Sequence, residues 1–299
     1  MNNVAEYILE SPHKQQYKPI DVVDFMKLDL PPRSCLMSPW LPEKSLAMIY
    51  GPRGAGKTYF AQGIAHALVT GTDFLSGRWV TGHPASVLII DGEMPQEELQ
   101  KRFKERFGED FQPDADFQLL SIDMMQTTPN FFNRTDQERV IQLVQDIDVL
   151  ILDSKATLFR GRDENDAGGW GDGQEFLMRL RRMGKTVILI HHAGKSGSQR
   201  GTSALEDVMD TVIKLSKPTG ADSKDGTRLE VSFEKHRGFH GEDTIPFIAT
   251  LPKAGNWQQC TVEEHKSTSA KRLHNEGLTQ QEIAEKLQVN QGTVSRWLK

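Results

Sequence analysis

The stretch Gly51, Pro52, Arg53, Gly54, Ala55, Gly56, Lys57, Thr58 satisfies the pattern G-x-x-x-x-G-K-[ST] in full. Few patterns of eight residues restrict a fold so tightly, because this one works only where an apolar strand enters a loop and the loop opens a helix. Both flanks comply. Leu46, Ala47, Met48, Ile49 and Tyr50 form an apolar run before it, and a helical pattern continues from Tyr59 to residue 69. Glycines let successive backbone N–H groups turn inward around an anion, and the helix start adds its own unsatisfied donors. In such a cradle Lys57 reaches the β- and γ-phosphates and the Thr58 hydroxyl coordinates Mg²⁺. Residues 51–59 are therefore expected to hold ATP with Mg²⁺, for hydrolysis or as a switch.

The chain around this loop alternates. Apolar runs at 46–50, 86–90, 117–120, 149–152 and 187–190 are separated by helical patterns at 57–69, 95–107, 136–145 and 174–183. The runs lack the every-second-residue polarity of a half-exposed strand, as expected where both faces of a parallel sheet are covered. This is an α/β pattern. After residue 190 the pattern changes. Segments 207–215, 227–234 and 244–251 read as strands with polar turns at 218–226 and 238–241, and no crossover helix fits between them. They are expected to extend the sheet as antiparallel hairpins. Ahead of the core, 20–26 reads as a short helix, Leu30, Pro31, Pro32 and Arg33 stop it, and Trp40 is expected to pack at the strand entry. The expected division is an N-terminal segment 1–34, an ATPase domain 35–251, a linker with a helix start at 252–270, and a small helical module at 271–299.

Two strands end in acids. The run at 149–152 leads to Asp153, and the run at 86–90 leads to Asp91, Gly92 and Glu93. In a parallel sheet the carboxyl ends of neighbouring strands open onto one crevice, shared with the phosphate loop. An acid there can hold the metal or orient the attacking water. The motifs alone leave open which strand does which.

Taken in order, the phosphate loop, Glu93, Leu152-Asp153-Ser154, Ile190-His191-His192 and Arg200-Gly201-Thr202-Ser203 resemble the RecA-like P-loop ATPases. The similarity is strongest to the hexameric plasmid replicative helicases of the RepA type, together with related AAA-labelled bacterial and phage ATPases, and it spans about residues 35–250. The resemblance implies that Glu93 activates water, that Asp153 is the Mg²⁺-associated acid, and that His192 senses the γ-phosphate. It also implies that the glycine-rich loops after Asp153 and His192 face single-stranded DNA, with Lys195 and Arg200 as phosphate contacts. Lys235 and Arg237 match a lysine–x–arginine finger that enters a neighbour's ATP site, where an arginine stabilises charge as the phosphoryl bond breaks. A finger supplied in trans implies a head-to-tail homo-oligomeric ring, hexameric in that family.

The C-terminal residues resemble the helix-turn-helix of bacterial regulators. Thr279 caps a helix with Glu282 three residues on. Ile283, Ala284 and Leu287 give its buried face, and Val294, Trp297 and Leu298 that of a second helix. Gln291, Thr293, Ser295 and Arg296 are the candidate contacts to duplex DNA. Lys266, Lys271, Arg272, Lys286, Arg296 and Lys299 outnumber Glu276, Glu282 and Glu285, although the whole chain carries a net charge of -5. DNA binding is therefore expected to be local.

Only Cys35 and Cys260 occur, which excludes a disulfide framework or zinc ribbon. No apolar run approaches the roughly 20 residues needed to span a bilayer, and Glu6 and Glu10 stand where a signal peptide would begin, so a cytoplasmic protein is expected. The leading functional expectation is Mg²⁺-dependent ATP hydrolysis coupled to DNA translocation or unwinding in replication of a mobile element. The alternatives are an ATP-controlled DNA-binding ATPase without helicase activity, and a replication ATPase whose last helices dock a protein.

Overall fold

Residues 19–161, 170–194, 204–221, 226–253 and 255–299 are described by a computed structural model of the protein. The chain divides into two units, Met1–Arg33 and Ser34–Lys299. In the first, the Val23 amide donates to the Asp21 carboxylate, capping a one-turn helix, α1 (Val22–Phe25).

In the second unit β1 (Cys35–Ser38) and β2 (Leu41–Pro42) lead into β3 (Leu46–Gly51) and α2 (Lys57–Thr70). Then come β4 (Val80–Thr81), β5 (Val87–Asp91), α3 (Gln96–Phe107), β6 (Phe117–Ser121), α4 (Arg134–Leu143) and β7 (Val149–Asp153). Next are α5 (Lys155–Leu158), α6 (Gly171–Arg182), β8 (Thr186–His192), α7 (Ala204–Asp207) and β9 (Thr211–Ser216). The chain ends with β10 (Thr227–His236), β11 (Phe247–Leu251), β12 (Gln258–Thr261), α8 (Val262–Asn275), α9 (Gln280–Leu287) and α10 (Gln291–Trp297).

Nine strands form one sheet in the order β12-β11-β10-β9-β3-β8-β7-β5-β6. The continuous apolar runs are explained by the two cores. Ala47 and Ile49 pack with Phe60, Ile64 and Leu68 of α2 on one face, whereas Leu46, Met48 and Tyr50 pack with Phe176, Leu177 and Leu180 of α6 on the other. Strands β1, β2 and β4 form a separate small sheet that the apolar pattern did not announce. Trp40 is fully buried, 5.0 Å from the Trp79 ring, which is the packing role expected of it.

Two expectations change. Strand β9 is parallel to β3, not antiparallel, with Ala47 opposite Thr211 and Tyr50 opposite Lys214. Residues 193–210, which include α7, give β8 a connection long enough to return the chain to the other end of the sheet. The antiparallel extension begins only at β10. Secondly, residues 252–270 hold the edge strand β12 and more than half of α8. Thr261 and Glu264 form a capping box that starts α8 at Val262. The C-terminal helical unit thus gains Glu263 and Glu264, which cancel most of its positive excess. No helix among the described residues is long and apolar enough to cross a membrane.

Candidate active site

The phosphate loop occurs where strand β3 meets helix α2, and its glycines are required by close approach. A side chain at Gly51 would press into the Leu215 carbonyl of β9. Gly56 has φ of 101°, and a Cβ there would lie 2.6 Å from Thr227 Cγ2 at the start of β10. The loop is therefore wedged against the ends of β9 and β10. Lys57 is buried, and its Nζ donates to the carbonyls of Gly51 (3.0 Å) and Pro52 (2.9 Å). Burial pulls its pKa below the ordinary lysine value, while Asp153 and Glu93 oppose that shift. These carbonyls are acceptors that phosphate oxygens can replace.

Sheet register gathers the acids beside the loop. Gly51 lies opposite His192, Asp153 opposite Ile190, and Asp91 opposite Asp153. The Thr58 hydroxyl donates to Asp153 Oδ2 at 2.8 Å. Burial, then the neighbouring Asp91, pushes the Asp153 carboxyl up to about 7. Asp91 is itself buried, and its Oδ1 accepts from the amides of Glu93 and Met94, both at 2.8 Å. It shapes the turn that carries Glu93. Glu93 accepts from the Ser154 hydroxyl, and His192 Nε2 lies 2.9 Å from the same carboxylate oxygen. The His192 hydrogen bond, with help from Ser154 and Lys57, pulls the Glu93 carboxyl down to about 2 against its desolvation.

A triphosphate with a divalent cation fits this donor set. The loop offers a folded-back ammonium and a helix start whose first amides have no intrahelical acceptor, and Thr58 stands beside a buried carboxylate that stays hard to ionise until positive charge arrives. Among the described residues no group of three or more His, Cys, Asp or Glu could hold a metal alone, so the phosphates would have to supply ligands.

The remaining expected site residues lie elsewhere. Lys195 and Arg200 fall outside the described residues. Lys235 and Arg237 follow β10 toward the start of β3, since His236 pairs with Thr211 and Thr211 with Ala47. That is the sheet edge opposite the loop. Lys235 Nζ donates to the carbonyls of Glu206 and Asp207, and Arg237 faces Asp210 at 3.7 Å. Neither meets its own chain's phosphate loop. On α10, Gln291 and Arg296 are exposed while Thr293 and Ser295 are half-buried. Arg296 donates to the Thr293 hydroxyl at 3.3 Å.

Sequence reasoning missed two features. Ser154 was noticed only as part of a motif, although its hydroxyl holds Glu93. The segment joining β9 to β10 reads in the sequence as a plain polar turn. Its root, at Leu215 and Thr227, abuts Gly51 and Gly56. Beyond that root, the Thr219 carbonyl accepts from His265 Nε2 (3.2 Å) and the Gly220 carbonyl from Arg272 (2.9 Å), both on α8. Gly220 has φ of 81°, and a Cβ there would meet Leu287 of α9 at 2.5 Å. The two strand ends thus abut the phosphate loop, and the connection that joins them touches the helix-turn-helix. Glycine in the sequence Pro218-Thr219-Gly220 was the only signal for it.

The sequence profile of the AAA domain family matches residues 11–198, and that of a homeodomain-like domain matches residues 269–299. No curated protein matches. Among solved structures, a KaiC-like protein from the hyperthermophilic archaeon Pyrococcus horikoshii OT3 aligns with 75% of this chain and 93% of its own. The TM-score is 0.53 at 15% identity, a likeness of fold. These findings support a RecA-like P-loop core with a C-terminal helix-turn-helix, and do not single out the plasmid helicases that the motif order suggested.

Proposed function

The chain belongs to the AAA domain family and is an ATP-hydrolysing enzyme, and from that premise we propose that its nucleotide state controls DNA binding by the C-terminal helices. The observation that carries this reading is the β9–β10 connection, rooted against Gly51 and Gly56 and bonded to α8 through Thr219 and Gly220. A phosphate drawn into the loop displaces the Lys57 contacts, and any resulting shift of Gly51 or Gly56 would bear on Leu215 and Thr227, through which the connection can respond to occupancy. Such coupling between sites is typically worth about 1–3 kcal/mol.

In this reading the loop amides and Lys57 bind the phosphates. Bound Mg²⁺, next to Thr58 and Asp153, would supply positive charge against the phosphate oxygens. Glu93 orients the attacking water. With a pKa of about 2 it is fully ionised at neutral pH, a good acceptor but a poor resting place for the proton. Ser154 and His192 fix its direction.

The test compares duplex-DNA affinity by fluorescence anisotropy without nucleotide, with ADP, and with ATP held by the Glu93→Gln variant. That variant is expected to bind ATP while turnover falls at least about 100-fold. Affinity should change by at least about fivefold between states. Equal affinities in all three states would refute the control, and wild-type turnover in Glu93→Gln would refute the role of Glu93. Turnover stimulated by single-stranded but not duplex DNA would favour translocation, the reading in which Lys195 and Arg200 would contact the strand.

A further inference from the structure

Ser154, whose hydroxyl donates to Glu93, is fully buried where β7 ends and the one-turn helix α5 begins. Its backbone is held by one side chain three residues on. The Thr157 hydroxyl accepts from the Ser154 amide at 3.3 Å and donates to the Ser154 carbonyl at 3.0 Å. The same side chain meets the other end of the Ser154–Glu93 bond. A Cβ on Gly92 would lie 2.6 Å from Thr157 Oγ1 and 3.1 Å from its Cβ, so the turn bearing Glu93 rests on Thr157. Helix α5 is anchored in its turn. Arg160 donates to the carbonyls of Thr157 (2.5 Å) and Thr128 (2.8 Å), and the Phe131 amide donates to that of Leu158 (2.8 Å). Two more bonds join Arg160 to Asn130: the Arg160 amide donates to Asn130 Oδ1 at 3.1 Å, and Asn130 Nδ2 donates to the Arg160 carbonyl at 3.0 Å.

We infer that Thr157 is a positioning residue for ATP hydrolysis, holding Ser154 so that its hydroxyl keeps the Glu93 carboxylate aimed at the attacking water. The inference rests on the reading of Glu93 given above. Thr157 acts through Ser154 and not on the nucleotide. A buried amide does not stay without an acceptor, so a Ser154 backbone deprived of the Thr157 hydroxyl turns toward another partner and draws its own hydroxyl off Glu93. The rate is sensitive to such a turn, because misplacing a reacting group by about 1 Å can cost roughly a hundredfold. The bonds of Arg160 and Asn130 give the hydroxyl a fixed base, as a supporting shell must. Valine has the shape of threonine and would keep the packing on Gly92, but it can make neither bond to Ser154.

The test is steady-state ATP turnover by the full chain, with folding checked by circular dichroism. Thr157→Val should lower kcat by between about ten- and a hundredfold and leave KM for ATP within about twofold. Thr157→Ser, which keeps the hydroxyl, should restore kcat to within about threefold of wild type, a rescue that a lost methyl contact would not allow. In a Ser154→Ala background Thr157→Val should cost less than about twofold more, since the two residues act in one line. Wild-type kcat in Thr157→Val would overturn the inference. So would a loss confined to KM, a Thr157→Ser variant as slow as Thr157→Val, or losses that multiply in the double variant. Glu93→Gln is measured beside them. Normal turnover there would refute the reading of Glu93 and this inference with it, whereas a slow Glu93→Gln beside a normal Thr157→Val would refute this inference alone.

Discussion

Gly220→Ala separates the proposed coupling from ordinary stability. At φ of 81° any residue with a Cβ is strained, by about 1–2 kcal/mol, whether or not the C-terminal helices are docked. Docking adds a second cost. The new methyl would lie 2.5 Å from Leu287 Cδ2 and 3.3 Å from Ser269 Cβ, and both residues are buried. Overpacking of this kind costs about 1–3 kcal/mol, and undocking relieves it. Against it stand the bonds from His265 and Arg272, worth about 1 kcal/mol each. The clash therefore matches the polar part of the contact, and undocking should become roughly 5–150 times more frequent. Gly238→Ala is the control, since its φ is 91° and nothing lies within 4 Å of its Cβ. Both variants should lose similar thermal stability from backbone strain, but only Gly220→Ala should speed amide exchange in α8 and α9 and flatten the dependence of DNA affinity on nucleotide. Equal exchange in the two variants would refute the docking argument. An undocked Gly220→Ala protein whose DNA affinity still followed nucleotide would refute the coupling.

Acid should loosen the same contact. Burial, with Arg228, Arg272 and Lys266 nearby, lowers the His265 pKa, while the Thr219 carbonyl opposes the shift. The undocked state therefore takes up the proton first, and docking stability, complete above about pH 6.5, falls as pH drops from there toward the lowered value. Exchange in α8 should accelerate over that range in wild type but not in His265→Gln, and identical pH profiles would refute the assignment. For the expected trans finger, Lys57→Ala and Arg237→Ala chains, each inactive alone, should regain part of their turnover on mixing once subunit exchange is verified by mass. A monomer with full activity would remove the finger.

The phosphate loop, the acids beside it and the capped terminal helices were legible because each is a local pattern, a short run whose residue types serve one geometry. The division of labour between Glu93 and Asp153 followed only from family resemblance, since Asp153 and Asp91, two residues before Glu93, close neighbouring buried strands at the same level. The direction of β9 was not legible. The run from Thr211 to Ser216 is largely buried and would be so in either sense, so the apolar pattern carries no direction. Strand β12 carried no apolar signal because it is the sheet's edge and its four residues are half-buried or exposed. Ser154 and Gly220 gain their meaning from partners far away in sequence.

Lys235 and Arg237 differ in their freedom to leave their own chain. Thr211 lies opposite Ala47, so the end of β10 is about 13 Å below Gly51 by the rise of a strand, and only a neighbour's phosphates are open to either side chain. Lys235 is half-buried and bonded to two carbonyls at the end of α7, and burial, then Arg237, lowers its pKa. Moving it would strand those acceptors as well as the ammonium. Arg237 is 55% exposed; its 3.7 Å pairing with Asp210 is of the kind worth about 1 kcal/mol or less, and its Nη2 reaches the Asp207 carbonyl only at 3.4 Å, the long end of a hydrogen bond. Asp210 would keep Arg181 at 3.6 Å and the Leu46 amide at 3.0 Å if Arg237 swung away. Of the two cations, Arg237 is thus the one whose departure costs little, which makes it the candidate to reach across an interface while Lys235 holds β10 to α7.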